Sequence, residues 1–314
     1  MNNNCLSTTI GSVSQILAKL LKKIVISYIC INKSTMKILI TNDDGYKARG
    51  LEALVEIMRP FGDVTIVAPK YHQSGMSMAI SLGFKRIAVK QYAPDSWYLD
   101  GTPASCVKFG IDNILLGDKR PDVVVCGINH GSNAATASLY SGTLGAAQEA
   151  AVNGIVGIGV SLDDFSPEGD FSAIKALFPG IFQKIMTNHP HRWGVYYNIN
   201  FPKASLEEIK GIKVAGLGSI HWEEEYQPFD PDVYKKRGIY LQDMGIFNMA
   251  EPEEGEEMYM MTGYPVENAG NDDLSDHRLI KEGYVAIVTH NICNQDQEES
   301  ERLRSLQIED LHKL

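Results

Sequence analysis

Asn42-Asp43-Asp44-Gly45 sets two carboxylates side by side directly after the apolar run Ile38-Leu39-Ile40. Such a run suits a strand buried on both faces, and Asn-Asp-Asp-Gly breaks it with turn formers. Leu51, Leu54, Val55 and Met58 then resume at helical spacing. The carboxylates therefore fall at the carboxyl end of a strand and before a helix, where open α/β sheets place their ligands. An all-oxygen site of this kind suits a hard divalent cation, Mg²⁺ or Mn²⁺, and no soft ligand is needed, which argues against zinc. Asp43 and Asp44 are equally suited to plain turn and N-cap duty.

Three further loops follow predicted strands: Tyr71–Ser77, Gly127–Asn133 and Ser141–Thr143. In a parallel sheet such loops gather along one edge. Ser74 and Asn129 offer neutral oxygens to the carboxylates, so Asp43, Asp44, Ser74 and Asn129 are the candidate metal ligands. Gly-rich turns and helix starts hold anions through backbone N–H groups. Ser141, Gly142 and Thr143 open an Ala-rich helix and form the candidate phosphate turn; the same three residues also suit a simple N-cap. Asn42, Gly75 and Asn133 join them as candidate phosphate- or substrate-binding residues. His130 offers an imidazole to a leaving oxygen or is a structural histidine. Tyr46 either stacks on a base or packs on the sheet.

Apolar runs at Val64–Ala68, Asp122–Cys126, Ile155–Leu162 and Gly194–Pro202 alternate with helical stretches at Pro103–Leu116, Leu144–Val152 and Ala173–Met186. This alternation predicts a Rossmann-like α/β fold: a mostly parallel sheet with helices on both faces. The expected organisation is a leader outside the fold at 1–35, a catalytic core at 36–210, a β-rich arm at 211–265 and a C-terminal strand and helix at 266–314. Within the arm, Ile212–Gly216 and Gly238–Leu241 read as strands. Glu251–Glu257 reads as a solvated acidic loop, and Gln297–Leu314 as a charged helix. The leader carries Lys19, Lys22, Lys23 and Lys33 with no Asp, Glu or Arg. Its apolar run Ile24–Ile31 is too short to span a bilayer. Met36 is the expected functional start, with a membrane-surface helix as the alternative.

The 314 residues carry a formal net charge of −10, with 44% hydrophobic and 22% charged residues. That composition is ordinary for a globular protein, and its acidity makes a nucleic-acid duplex a poor partner. Cys5, Cys30, Cys106, Cys126 and Cys293 form no CxxC pair, which points to a reducing, cytoplasmic location and to no zinc site. A dinucleotide oxidoreductase would need Gly-x-Gly-x-x-Gly where Asn-Asp-Asp-Gly stands. Adjacent Asp residues also sit poorly across a sugar, against a glycosidase.

Thr41–Gly45, Ala68-Pro69 with Gln73-Ser-Gly75, Gly101-Thr-Pro103, Gly127–Gly131 and Tyr140–Thr143 occur in the order and spacing of the SurE family, and Asn198–Pro202 and Gly283–Ile287 also resemble it. The resemblance covers Met36 to His290. It implies a metal-dependent phosphatase acting on nucleoside 5′-monophosphates, and it leaves open 3′-monophosphates and short polyphosphate. It carries the ligand role to Asp43, Asp44, Ser74 and Asn129, with one Mg²⁺ or Mn²⁺ per subunit. The phosphate-holding turn falls on Ser141, Gly142 and Thr143. A projecting β-hairpin near 215–265 and a swapped C-terminal segment are implied too, giving a homodimer or homotetramer. The expected chemistry is attack by water, with Asp43 orienting it or taking its proton; a covalent aspartyl-phosphate is the rival. A nucleotide-binding module without turnover is the alternative function.

Overall fold

Ile38, Leu39 and Ile40 are almost wholly shut off from solvent, as strand residues covered on both faces must be. They lie in β1 (Met36–Thr41) of a computed structural model that describes residues 35–81, 83, 86–166, 168–190, 192–230, 232 and 252–306. The turn after β1 leads into α1 (Arg49–Met58), which buries Leu51, Leu54, Val55 and Met58 as the spacing predicts, together with Ala53 and Ile57. The chain continues through β2 (Gly62–Pro69), β3 (Val89–Ala93), β4 (Ser96–Leu99), α2 (Pro103–Phe109), β5 (Val123–His130), α3 (Gly142–Val152), β6 (Val156–Leu162), α4 (Ser172–Asn188) and β7 (Val195–Phe201). Then come β8 (Gly211–Val214), β9 (Ile220–Glu223), β10 (Tyr226–Pro228), β11 (Tyr259–Met261), β12 (Tyr264–Glu267), α5 (Asp276–Lys281), β13 (Tyr284–Asn291) and α6 (Gln297–Ser305).

Nine strands form one sheet in the order β3-β4-β2-β1-β5-β6-β7-β13-β8. β1, β5, β6 and β7 are mutually parallel, as are β2 and β4, while β13 runs antiparallel to β7 and β3 to β4. The expected mostly parallel α/β sheet is therefore the observed one. Thr41 is opposite Cys126 in the β1–β5 register, so the segments leaving these two strands emerge side by side.

Two features differ from expectation. β5 does not stop at Cys126 but runs on to His130, because pairing with β6 resumes at Asn129–Ser161 and His130–Leu162 after an irregularity. Asn129 and His130 thus belong to the strand rather than to the loop after it. Gly211–Val214, assigned to the arm, forms β8 and completes the sheet by pairing in parallel with β13. The ribbons that leave the sheet are β9–β12 and β10–β11, both antiparallel. They expose Trp222, Tyr226, Tyr259, Met261 and Tyr264. The predicted strand at Gly238–Leu241, residues 1–34 of the leader and the end of the last helix beyond 306 lie outside the described residues. Among the described residues no helix is long and apolar enough to cross a membrane.

Candidate active site at the carboxyl edge of the sheet

Asp43 leaves β1 into the protein rather than toward water, and only 3% of its surface remains accessible. Its Oδ1 accepts a hydrogen bond of 2.7 Å from Thr143 Oγ1, and its carbonyl accepts one of 2.7 Å from the Gln73 N–H. Three separate segments thus converge on one residue. The turn before α3 is tied to the 70s loop as well, because the Ser77 N–H donates to Tyr140 O at 2.9 Å and Ser77 Oγ to Leu139 O at 2.7 Å. Gly142 fills the space between them. A Cβ there would stand 3.0 Å from Asp43 Cβ, 3.0 Å from Gln73 O and 3.1 Å from Asp43 Oδ2, so a larger residue would push on the carboxylate.

Asp44 is held between two imidazoles, with His130 Nδ1 at 3.2 Å from Oδ2 and His72 Nδ1 at 3.4 Å from Oδ1. The far nitrogens of both rings, Nε2, are buried without a hydrogen-bond partner among the described residues, as is Asn42 Oδ1. Asn42 Nδ2 donates to Gly45 O at 2.9 Å, closing the turn. Asn129 Nδ2 donates to Gly131 O at 2.8 Å, and no hydrogen bond reaches its Oδ1 among the described residues.

The two carboxylates are electrostatically unlike. Burial, then the neighbouring charge of Asp44, pushes Asp43 up to about 6, against the lowering pull of Thr143 and His72. Asp44 also suffers desolvation, but hydrogen bonds and charge from His130 and His72 outweigh it and bring Asp44 down to about 2. His72 in turn is raised, its burial overcome by the hydrogen bond and charge of Asp44. The site therefore combines an anion at all ordinary pH with a second carboxyl whose ionisation is resisted.

The expected ligand and phosphate residues separate into groups. Asp43, Asp44, Gly142 and Thr143 are brought together directly. Asn129 lies on β5 next to His130, whose ring meets Asp44, and Ser74 and Gly75 follow Gln73 on an exposed loop where Gly75 takes a φ of +74°. Ser141 caps α3, its Oγ accepting from the Leu144 N–H at 3.1 Å. Asn133 lies in a different network: its Nδ2 donates to Ser161 Oγ, its N–H to Asn200 Oδ1 and its carbonyl accepts from Asn198 Nδ2, all at 2.8 Å. His72 was not singled out from the sequence. It is one polar residue in a polar loop, and only its contact with Asp44 gives it significance.

A divalent cation suits these residues. A positive ion beside Asp43 and Asp44 relieves the repulsion and desolvation that hold Asp43 near 6, and the nearby donors are hard oxygens. Among the described residues no three His, Cys, Asp or Glu side chains group into a metal cluster, so two carboxylates plus neutral oxygens are the donor set on offer.

Fold and site together define an α/β protein of the Rossmann-like type with a carboxylate-centred cluster at the carboxyl edge of its sheet. Residues 38–224 match the family model described as Survival protein SurE. The chain is 38% identical over 263 residues to the 5′-nucleotidase SurE of Christiangramia forsetii, covering 82% of this chain and 92% of that one. It is 39% identical over 248 residues to the 5′-nucleotidase SurE of Cytophaga hutchinsonii, covering 77% and 93%. The crystal structure of the SurE protein from Aquifex aeolicus superposes with a TM-score of 0.68 at 27% identity, covering 86% of this chain and 99% of that one. The chain belongs to the SurE family.

Proposed function

We propose that the protein is a 5′-nucleotidase, a metal-dependent phosphatase that hydrolyses nucleoside 5′-monophosphates to nucleoside and phosphate. The observation that carries this reading is the Asp43–Asp44 pair, two carboxylates of opposite pKa displacement pinned by Thr143 and by two histidines. Relatives named 5′-nucleotidase SurE, matched over nearly their whole length, support it.

Asp43, Asp44, Ser74 and Asn129 would hold one Mg²⁺ or Mn²⁺, which when bound supplies positive charge against the phosphoryl oxygens. Asp43, fixed by the Thr143 hydroxyl, would orient the attacking water or take its proton. Asp44, at about 2, stays an anion throughout. Thr143 Oγ1 fixes the Asp43 carboxylate, and the start of α3 with Ser141 and Gly142 turns N–H groups toward charge on the equatorial oxygens. Activity toward 3′-monophosphates and short polyphosphate belongs to the same proposal as a side activity of one phosphate site. So does a homodimer or homotetramer joined through the C-terminal segment. A cytoplasmic location is also proposed, in keeping with the free thiols of Cys106, Cys126 and Cys293.

The test is phosphate release from a panel of nucleoside monophosphates with Mn²⁺, with Mg²⁺ and after chelation, beside Asp44→Asn. Release is expected to need the metal and to fall about a thousandfold in the variant. Binding of nucleotide without release under any metal would replace the enzyme by a nucleotide-binding module.

A further inference from the structure

Beyond the phosphate site the same edge carries an aromatic cluster that the chemistry above does not use. The Tyr46 ring lies 4.9 Å from that of Tyr98 and 5.0 Å from that of Tyr92, and the Tyr92 and Tyr98 rings are nearly parallel, 16° apart in plane, at 6.3 Å. Lys70 Nζ stands 4.8 Å from the Tyr71 ring centre and 5.9 Å from that of Tyr98, and Lys47 Nζ is 5.5 Å from Tyr46.

Residues from four strands and the turns after them build the cluster. Tyr46 follows Asp44 by two residues and its N–H donates to Pro69 O at 2.8 Å, fastening it to the end of β2. Lys70 and Tyr71 continue from β2, and the Lys70 N–H donates to Leu99 O at 2.7 Å. Tyr98 lies in β4, opposite Ala68 of β2. Tyr92 comes from β3, which is exposed at every residue, so no core holds that ring in place. Its ring meets those of Tyr46 and Tyr98 and its hydroxyl meets Ser96, while 37% of Tyr92 and 41% of Tyr71 remain open to water.

We propose that Tyr46, Tyr92 and Tyr98 form a stacking platform for the base of a nucleoside monophosphate whose phosphate sits at Asp43–Asp44. The inference rests on the nucleotidase reading and names the part of the substrate that reading leaves unplaced. Two residues of chain reach at most about 7 Å, so the Tyr46 backbone stays within a nucleoside's reach of Asp44. The strands on this side, β2 then β4, step away from β1 at about 4.8 Å each, so Tyr98 lies two strands out from the Asp43–Asp44 turn. Lys47 and Lys70 add positive charge beside an anionic substrate. Stacking reads the π-face that every base has, so the platform favours any base over none and discriminates weakly among bases.

The experiment compares kcat/KM for AMP with that for ribose 5-phosphate in the wild type, Tyr92→Ala and Tyr92→Phe. The ratio favours AMP in the wild type, falls about tenfold in Tyr92→Ala and stays within about twofold in Tyr92→Phe. A ratio unmoved by Tyr92→Ala overturns the platform. Calorimetric binding of the same two compounds separates this from failure of the nucleotidase reading. Preferential AMP binding that is weakened in Tyr92→Ala supports the platform even where nothing is hydrolysed. Equal binding of the two compounds refutes it.

Discussion

The Asn133–Asn198–Asn200–Ser161 network and the Asp43–Asp44 pair lie near the carboxyl ends of adjacent strands, yet they are built on opposite principles. In the asparagine network the donors meet acceptors. Asn200 Oδ1 accepts from the Asn133 N–H, Asn200 Nδ2 donates to Asn198 Oδ1 at 2.9 Å, and Asn133 reaches Ser161. Around the carboxylates, by contrast, Asn42 Oδ1, His72 Nε2 and His130 Nε2 are buried without partners among the described residues, and Asp43 is held against ionisation. Buried polar groups in stable structure are normally satisfied. One cluster therefore fixes where the strands sit, and the other retains unused bonding capacity of the kind a ligand completes.

The contrast breaks first at Asn200. Removing its amide orphans the Asn133 N–H and Asn198 Oδ1 in a region closed to water. Asn200→Ala is expected to lower folding stability by about 3 kcal/mol, near the upper end for a stranded buried group. The residual folded protein should retain kcat/KM within about tenfold, since the hydrogen bonds of Asn200 run to Ser132, Asn133 and Asn198 rather than to Asp43 or Asp44. Urea unfolding and steady-state kinetics on one preparation decide the matter. Intact stability with activity lost by a hundredfold would move the network into the active site.

Asp43 should behave in the reverse manner. Its carboxyl titrates near 3.8 when unfolded and near 6 when folded. Its contribution to stability is thus complete below 3.8 and is lost as pH rises through 6. At pH 7 the loss is about 3 kcal/mol. Asp43→Asn keeps an oxygen for the Thr143 hydroxyl and carries no charge, so it should gain about 1–3 kcal/mol at pH 7 in chelator while losing phosphatase activity. The gain should vanish below about pH 4, where the wild-type carboxyl is itself neutral. Denaturant melts at the two pH values measure this, and a variant less stable than wild type at pH 7 would contradict the picture of a site under electrostatic load.

How far each cluster was legible in the sequence follows from the range of the interactions. Asn-Asp-Asp-Gly after Ile-Leu-Ile is a local pattern, and so is the helical spacing after it; strand, turn and α1 were accordingly readable. So was the convergence of strand-end loops, because a parallel sheet brings them to one edge whatever their content. The Asn133 network joins residues 67 and 65 positions apart through side chains that read equally well as substrate donors. The His72 contact with Asp44 likewise spans a crossover. The extension of β5 to His130 depends on a pairing with β6 that resumes after an irregularity, and β8 finds its place only against β13. Composition and periodicity carry none of these.

Ser141 stands between the two principles, which makes it the finest probe of the contrast. Its Oγ accepts the Leu144 N–H, so its lone pairs serve the helix while its own O–H remains available to a phosphoryl oxygen. Ser141→Ala should therefore lose the cap, about 1 kcal/mol or 2–4 °C in Tm. It should also lose about tenfold in kcat/KM through one hydrogen bond to a charged group. Ser141→Gly separates the effects, because glycine caps a helix to within a few tenths of a kcal/mol of serine but has no hydroxyl. Stability close to wild type with activity as low as the alanine variant would assign the hydroxyl to the substrate. Activity restored together with stability would make Ser141 a cap alone, and would leave the backbone N–H groups of the turn, with Thr143 already committed to Asp43, to hold the phosphate.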